Sequence, residues 1–269
     1  MTAFELLLFS TDPETVSRYA EAGVDGFIVD WESKGKETRQ AGADTEINED
    51  TPEDLRRVRA ATKARLLCRL NQPGPWTPGE IDEAVAGGAD EVLLPMVRGP
   101  GEVLDAIRVA RGRCGVGILV ETVDAVRCAT ELARLPISRA YVGLNDLSIE
   151  RRSRSIFEPL TNGLVDGTRS LFTVPFGLAG LTLPECGVPI PCRLLIGEMT
   201  RLSCGFTFLR RSWRRDMAGR DPRIEIPRLK AAIERAGRRA AEEITRDREE
   251  LVETVTVAAG GDAKPREIP

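Results

Sequence analysis

The chain has no histidine among its 269 residues. That absence removes His-based catalytic triads, imidazole metal ligands and the commonest general base, so carboxylates, lysines, tyrosines or metal-bound water must carry any proton transfer. Cys68, Cys114, Cys128, Cys186, Cys192 and Cys204 form no CxxC pair and no dense framework, which reads as reduced structural thiols. No apolar run approaches the roughly 20 residues that a membrane-spanning helix needs. The opening stretch MTAFELLLFSTDPE lacks both a basic flank and a small-residue cleavage site, so it reads as a first strand of a soluble, cytoplasmic protein with no membrane partner. Nor is positive charge in excess. With 38 Lys and Arg against 42 Asp and Glu, the net charge is −4, and no overall basic field recruits nucleic acid.

What the sequence does contain is an alternation. Short runs rich in Val, Ile, Leu and Phe occupy residues 4–9, 26–30, 65–70, 91–96, 115–120, 140–143, 175–181 and 205–209, separated by segments with helical spacing and Gly, Asp or Pro punctuation. Eight buried parallel strands with intervening helices predict a TIM (β/α)8 barrel, and a doubly wound open sheet is the alternative with the same alternation. The length suits one such domain. EAGVDGFIVD at 21–30 and AGGADEVLLP at 86–95 share one wording, in which a helix ends on glycine and an Asp precedes the strand. Thr11-Asp-Pro-Glu and Thr51-Pro-Glu-Asp each place a capping hydroxyl and acidic residues at a helix start. One long charged helix is expected from 227 to about 252. The domain division is therefore a barrel over 1–223, a C-terminal helical extension over 224–257, and a frayed polar tail over 258–269.

In a parallel barrel, reactive groups stand where strands end, so the polar residues just after the apolar runs are the candidates. These are Asp30 and Glu32 after the second run, Arg69 and Asn71 at the third, Glu121 after the fifth, and Asn145 and Asp146 after the sixth. Neighbouring strands lie about 4.8 Å apart, so Glu121 and Asp146 can reach a common point. Two carboxylates, with waters completing the shell, suit Mg²⁺ or Mn²⁺ and leave positions for a bidentate 2-oxo acid. Arg69 offers a planar fork to a carboxylate or an enolate. Asp146 has a second reading as the cap of the following helix, Glu32 is either a general base or an acceptor for metal-bound water, Asn145 is a candidate substrate-binding residue, and Trp31 either lines the pocket beside Asp30 or packs at the rim.

At these residues the chain resembles the HpcH/HpaI aldolase and citrate lyase β-subunit family. Val29-Asp-Trp-Glu is similar to that family's acidic turn after strand 2, and Leu67-Cys-Arg-Leu-Asn to its strand 3 arginine. EAVAGGADEVLLPMV at 83–97 looks like its helix, glycine and strand 4. Val120-Glu-Thr and the segment VGLNDLS, whose Asp146 lies 25 residues after Glu121, resemble its two metal-ligand segments. The resemblance implies a Mg²⁺- or Mn²⁺-dependent carbon–carbon lyase or aldolase. Glu121 and Asp146 would hold the metal, Arg69, Asp30 and Glu32 would be catalytic, and a pyruvate- or oxaloacetate-like acid would be substrate. Where the pyruvate aldolases of the family carry a histidine and a glutamine, this chain has Ser33 and Leu119. A citrate lyase-like enzyme acting on a CoA thioester, and a barrel that binds metal and oxo acid without turnover, are the alternatives.

The charged stretch after the second run, with Lys34, Lys36 and Arg39, is either an anion-binding loop or a solvated one. Arg151 to Arg154 and Arg210 to Arg215 either meet phosphate or CoA or pair with surface acids. The segment 192–202 reads as a core helix. Ile224, Ile226, Leu229, Ile233, Ile244, Leu251 and Val255 make an apolar face too extended for one short barrel helix. A homo-oligomer packed through the C-terminal helix is expected, and a helix folded back on its own barrel is the alternative.

Overall fold

The computed structural model describes residues 4–35 and 50–261. Eight parallel strands close into a barrel: β1 (Glu5–Phe9), β2 (Gly26–Asp30), β3 (Arg65–Arg69), β4 (Glu91–Leu94), β5 (Gly115–Val120), β6 (Ala140–Val142), β7 (Phe176–Leu178) and β8 (Phe206–Leu209). Closure is made by β1 against β8, in register from Glu5 with Phe206 to Leu8 with Leu209. The open-sheet alternative is thereby excluded.

The two-residue period of a strand divides the apolar side chains between two cores. Leu7, Ile28, Leu67, Leu93, Leu119, Tyr141, Phe206 and Phe208 fill the barrel. Their sequence neighbours, such as Leu6, Phe27, Leu66, Val92 and Ile118, face the helices. Below the inner apolar layer the strands begin with charge. Arg139 bonds Glu91 at 2.8 Å and Glu5 at 3.0 Å, and Arg65 approaches both acids, so an ionic plug closes the N-terminal end. The opposite end carries the carboxyl ends of the strands.

Several boundaries shift for identifiable reasons. The strand expected over 175–181 shortens because Ala179 turns left-handed (φ 52), leaving Leu181 only an isolated bridge to Leu209. The first helix is capped by Asp12, which accepts from the Thr15 amide, and not by Thr11. Thr51 caps its helix as expected, in a reciprocal box with Asp54.

The C-terminal region departs most from expectation. Instead of one helix there are two, Pro222–Ala236 and Ala241–Gly261, broken after Gly237. The first packs on helices Pro13–Glu21 and Cys192–Arg201, taking the place of the eighth barrel helix, so the barrel continues past residue 223. At the break, Arg239 turns back to donate to the Gly197 carbonyl at 2.8 Å and pairs with Asp247. A Cβ at Gly197 would lie 2.7 Å from that guanidinium, so any larger residue there would require the tip of Arg239 to shift.

The second helix lies on helices Cys192–Arg201 and Glu158–Thr161 of the same chain. Ile226, Leu229 and Ile233 on helix Pro222–Ala236 and Leu251 and Val255 on helix Ala241–Gly261 are buried, so most of the apolar face expected to seek a second subunit is covered within the chain. Ile224 remains exposed. No described helix is long and apolar enough to cross a membrane.

Candidate active site

At the C-terminal end of the barrel, Asp30 and Arg69 are the last residues of β2 and β3 and stand opposite each other in register. Arg69 donates from Nε to Asp30 Oδ1 at 2.8 Å and from Nη2 to Oδ2 at 2.6 Å, a bidentate fork made with a fully buried carboxylate. Its remaining nitrogen, Nη1, lies 3.5 Å from Glu32 Oε2, and the guanidinium sits 5.2 Å from the centre of the Phe9 ring. Burial works against the charge of Arg69. Asp30 and then Glu32 outweigh it and hold the guanidinium above its ordinary pKa. Asp30 also accepts the Glu32 amide at 3.1 Å, which ties the turn after β2 to the same pair.

Glu121 follows β5 directly and is buried. Its Oε1 accepts the backbone N–H of Met96 at 2.9 Å. Met96 is left-handed (φ 54), an uncommon state for a residue with a side chain, and that state aims its amide at the carboxylate. The other oxygen, Oε2, lies against Gly143, where any Cβ would overlap it. Gly143 is also the N-cap of helix Leu144–Arg151, so Asp146 sits in that helix's first turn and the cap reading of Asp146 is replaced. Burial first, then the charge of Asp146 and then that of Glu32, push the Glu121 pKa well above the ordinary carboxyl range. The Met96 amide and Arg69 oppose the rise.

The charges of half-buried Asp146 and buried Glu32 thus oppose ionisation of buried Glu121, and Arg69, which Asp30 engages through Nε and Nη2, offsets them. Hard oxygen donors held this way, one of them seated in a glycine cradle, fit Mg²⁺ or Mn²⁺ in their chemistry. Among the described residues no group of three or more Cys, Asp or Glu side chains forms a metal cage, so a cation here would rely on two protein ligands, water and substrate.

Not every expected residue joins this cluster. Trp31 is corrected: strand side chains alternate, so the residue after inward-facing Asp30 points to the helices, and Trp31 packs in the outer core with its Nε1 buried and unpartnered among the described residues. Asn145 precedes Asp146 on a helix, where consecutive side chains diverge by about 100°. Only its backbone contact is defined, a carbonyl accepting from Ser148 Oγ at 2.8 Å. Lys34 is exposed, its ammonium 5.1 Å from the Trp76 ring centre, and Lys36 and Arg39 lie outside the described residues. Arg151, Arg152 and Arg154 are exposed. Arg210 bonds Ser212 Oγ at 2.9 Å, and Arg215 pairs with Asp216.

Three contributors, the Met96 amide, Gly143 and Glu80, are not legible in the sequence as site groups, and Asn71 is a candidate there by position alone. The Met96 amide and the Gly143 cradle involve backbone, which no side-chain inventory reveals. Glu80, the partner of Asn71 from helix Thr77–Ala86, looks like an ordinary first-turn acid. The chain matches no family model and no curated protein sequence.

Proposed function

We propose that this chain is a divalent-metal-dependent carbon–carbon lyase or aldolase acting on a small 2-oxo acid, related to the HpcH/HpaI aldolase and citrate lyase β-subunit group. The observation that carries the reading is the buried Glu121 carboxylate, held by the Met96 amide and seated against Gly143 at the C-terminal end of a (β/α)8 barrel, where burial first and then Asp146 and Glu32 oppose its charge. A cation there favours the ionised form, and that end of the barrel is where enzymes of this architecture place their chemistry. Glu121 and Asp146 would hold Mg²⁺ or Mn²⁺. When bound, the ion supplies Lewis acidity toward the 2-oxo group.

The chain's own groups then have separable tasks. Asp30 fixes the plane of Arg69 by occupying Nε and one N–H of Nη2, leaving donors on Nη1 and Nη2 for a substrate carboxylate or an enolate oxygen. This is a narrower role than a free guanidinium would have. Glu32, buried and 3.5 Å from Nη1, is the group placed to take a proton where imidazole is lacking. In the cleavage of a 4-hydroxy-2-oxo acid, the hydroxyl proton passes to the base, the C3–C4 bond breaks, and its electron pair enters the enolate as the aldehyde leaves. Return of the proton to C3 gives the shorter 2-oxo acid.

Product release from oxaloacetate and 4-hydroxy-2-oxo acids, set against malyl-, citramalyl- and acetyl-CoA, with Mg²⁺, Mn²⁺ or EDTA, tests this reading. Metal-dependent turnover of the oxo acids that disappears in Glu121→Gln is the expected result. CoA release would move the assignment to the thioester branch. Saturable oxalate binding without product from any substrate would make the barrel a binding protein and overturn the enzymatic reading.

A further inference from the structure

The turn that carries Glu32 is held from below by a polar pair with no part in the chemistry outlined above. Asn71, buried just after β3, accepts with Oδ1 from the amides of Ser33 at 2.9 Å and Lys34 at 2.8 Å. Its Nδ2 donates to Glu80 Oε1 at 2.7 Å, and its own amide donates to Glu80 Oε2 at 3.2 Å. Two N–H donors on one side of the carboxamide and a carboxylate on the other fix which way it faces. Glu80 in turn stands in the first turn of helix Thr77–Ala86, where the helix dipole favours a negative charge. The amide of Glu32 is held by Asp30 and the next two by Asn71, so three consecutive backbone N–H groups are pinned by side chains on β2 and just beyond β3.

We propose that Asn71, locked by Glu80, is a positioning residue that seats the Glu32 carboxylate beside Arg69 and Glu121. The inference rests on the metal-site reading above for its consequence, while the clamp itself stands on the hydrogen bonds. An exposed turn held only by its own backbone would let Glu32 leave the site at little cost, because Ser33, Lys34 and Gly35 are all exposed. With the clamp closed, Glu32 stays buried. Supporting side chains of this kind change metal affinity without touching the ion.

Two measurements on the full chain test the proposal: amide hydrogen exchange at residues 32–35, and Mn²⁺ affinity from the free-ion electron paramagnetic resonance signal. In Asn71→Ala, exchange at Ser33 and Lys34 should accelerate by about tenfold or more, and Mn²⁺ affinity should fall by about tenfold. On a Glu32→Gln background the same change should weaken Mn²⁺ by less than about twofold, since the clamp acts through Glu32. Asn71→Asp alone sets two carboxylates face to face and should also loosen the turn. The double variant Asn71→Asp, Glu80→Gln reverses donor and acceptor across that contact and should restore both readouts.

A residue that merely stabilised the barrel would weaken Mn²⁺ equally with and without Glu32. That outcome, unchanged exchange in Asn71→Ala, or failure of the reversed pair to rescue overturns the proposal. If the wild type binds no Mn²⁺, the metal-site reading fails by itself, and the exchange rates with the reversed-pair rescue still decide whether Asn71 and Glu80 hold the turn.

Discussion

Glu121 is the residue on which the site turns, because its charge is opposed by burial and by two other carboxylates. A carboxyl whose pKa is raised on folding binds a proton more tightly folded than unfolded. Its contribution to stability is therefore fully present below the ordinary carboxyl pKa and is lost as pH rises through the raised value. In metal-free protein, melting temperature should fall as pH rises above the ordinary carboxyl range, and Glu121→Gln should flatten that fall. An identical pH profile in the variant would mean that Glu121 is not the titrating group. Gly143→Ala makes a second prediction at this scale. The added methyl displaces Glu121 Oε2, so Mn²⁺ affinity should drop by on the order of ten- to hundredfold while the fold persists. Asp30, Arg69, Glu121 and Asp146 are legible in the sequence because each follows an apolar run. The pairing that commits most of Arg69 to Asp30 is not, since β2 and β3 are joined through distant residues and register appears only when the sheet forms. Trp31 is legible in principle, because a period of two places it opposite Asp30.

The elements owe their positions to two ends of the barrel with different chemistry. At the N-terminal end, Arg139 is buried between Glu91 and Glu5, and Ser138 also donates to Glu91. Removing one partner of a buried pair strands the other charge, so Arg139→Ala should cost about 3–5 kcal/mol in denaturant unfolding. A loss below about 1 kcal/mol would show that the plug is solvated and carries little of the stability. The strands themselves are readable from their Val, Ile and Leu runs. Their ends are less so, because Leu and Ala remain apolar whether or not the backbone still pairs, as Ala179 and Leu181 show at the end of β7. The break at residues 237–240 is likewise hidden. Gly237 marks a possible helix end, but the side chain that rewards the break is Arg239, whose acceptors on Gly197 and Thr200 are remote in sequence.

At the scale of the molecule, the chain closes on itself twice, once through β1 and β8 and once through the last helix. Leu251 and Val255 bury that helix against the barrel's own helices, and Arg248 reaches Glu198 at 2.6 Å and the Leu160 carbonyl at 2.6 Å. Leu251→Ala should therefore destabilise the protein by about 2–5 kcal/mol, independently of protein concentration. A destabilisation that grows on dilution would place this helix in an interface between subunits. The sequence shows the apolar stripe but not its cover, since burial in the same chain and burial in a second copy demand the same residues. At the C-terminal end of the barrel, Glu121 follows β5 and Asp146 lies in the helix after β6, and the functional account turns on the cation site proposed for the two. Mn²⁺ titration followed by electron paramagnetic resonance, in wild type, Glu121→Gln and Asp146→Asn, tests it most directly. Saturable binding of one ion per chain, weakened by about a hundredfold or more in either variant, is the predicted result. Equal binding in all three proteins, or none in the wild type, would contradict it.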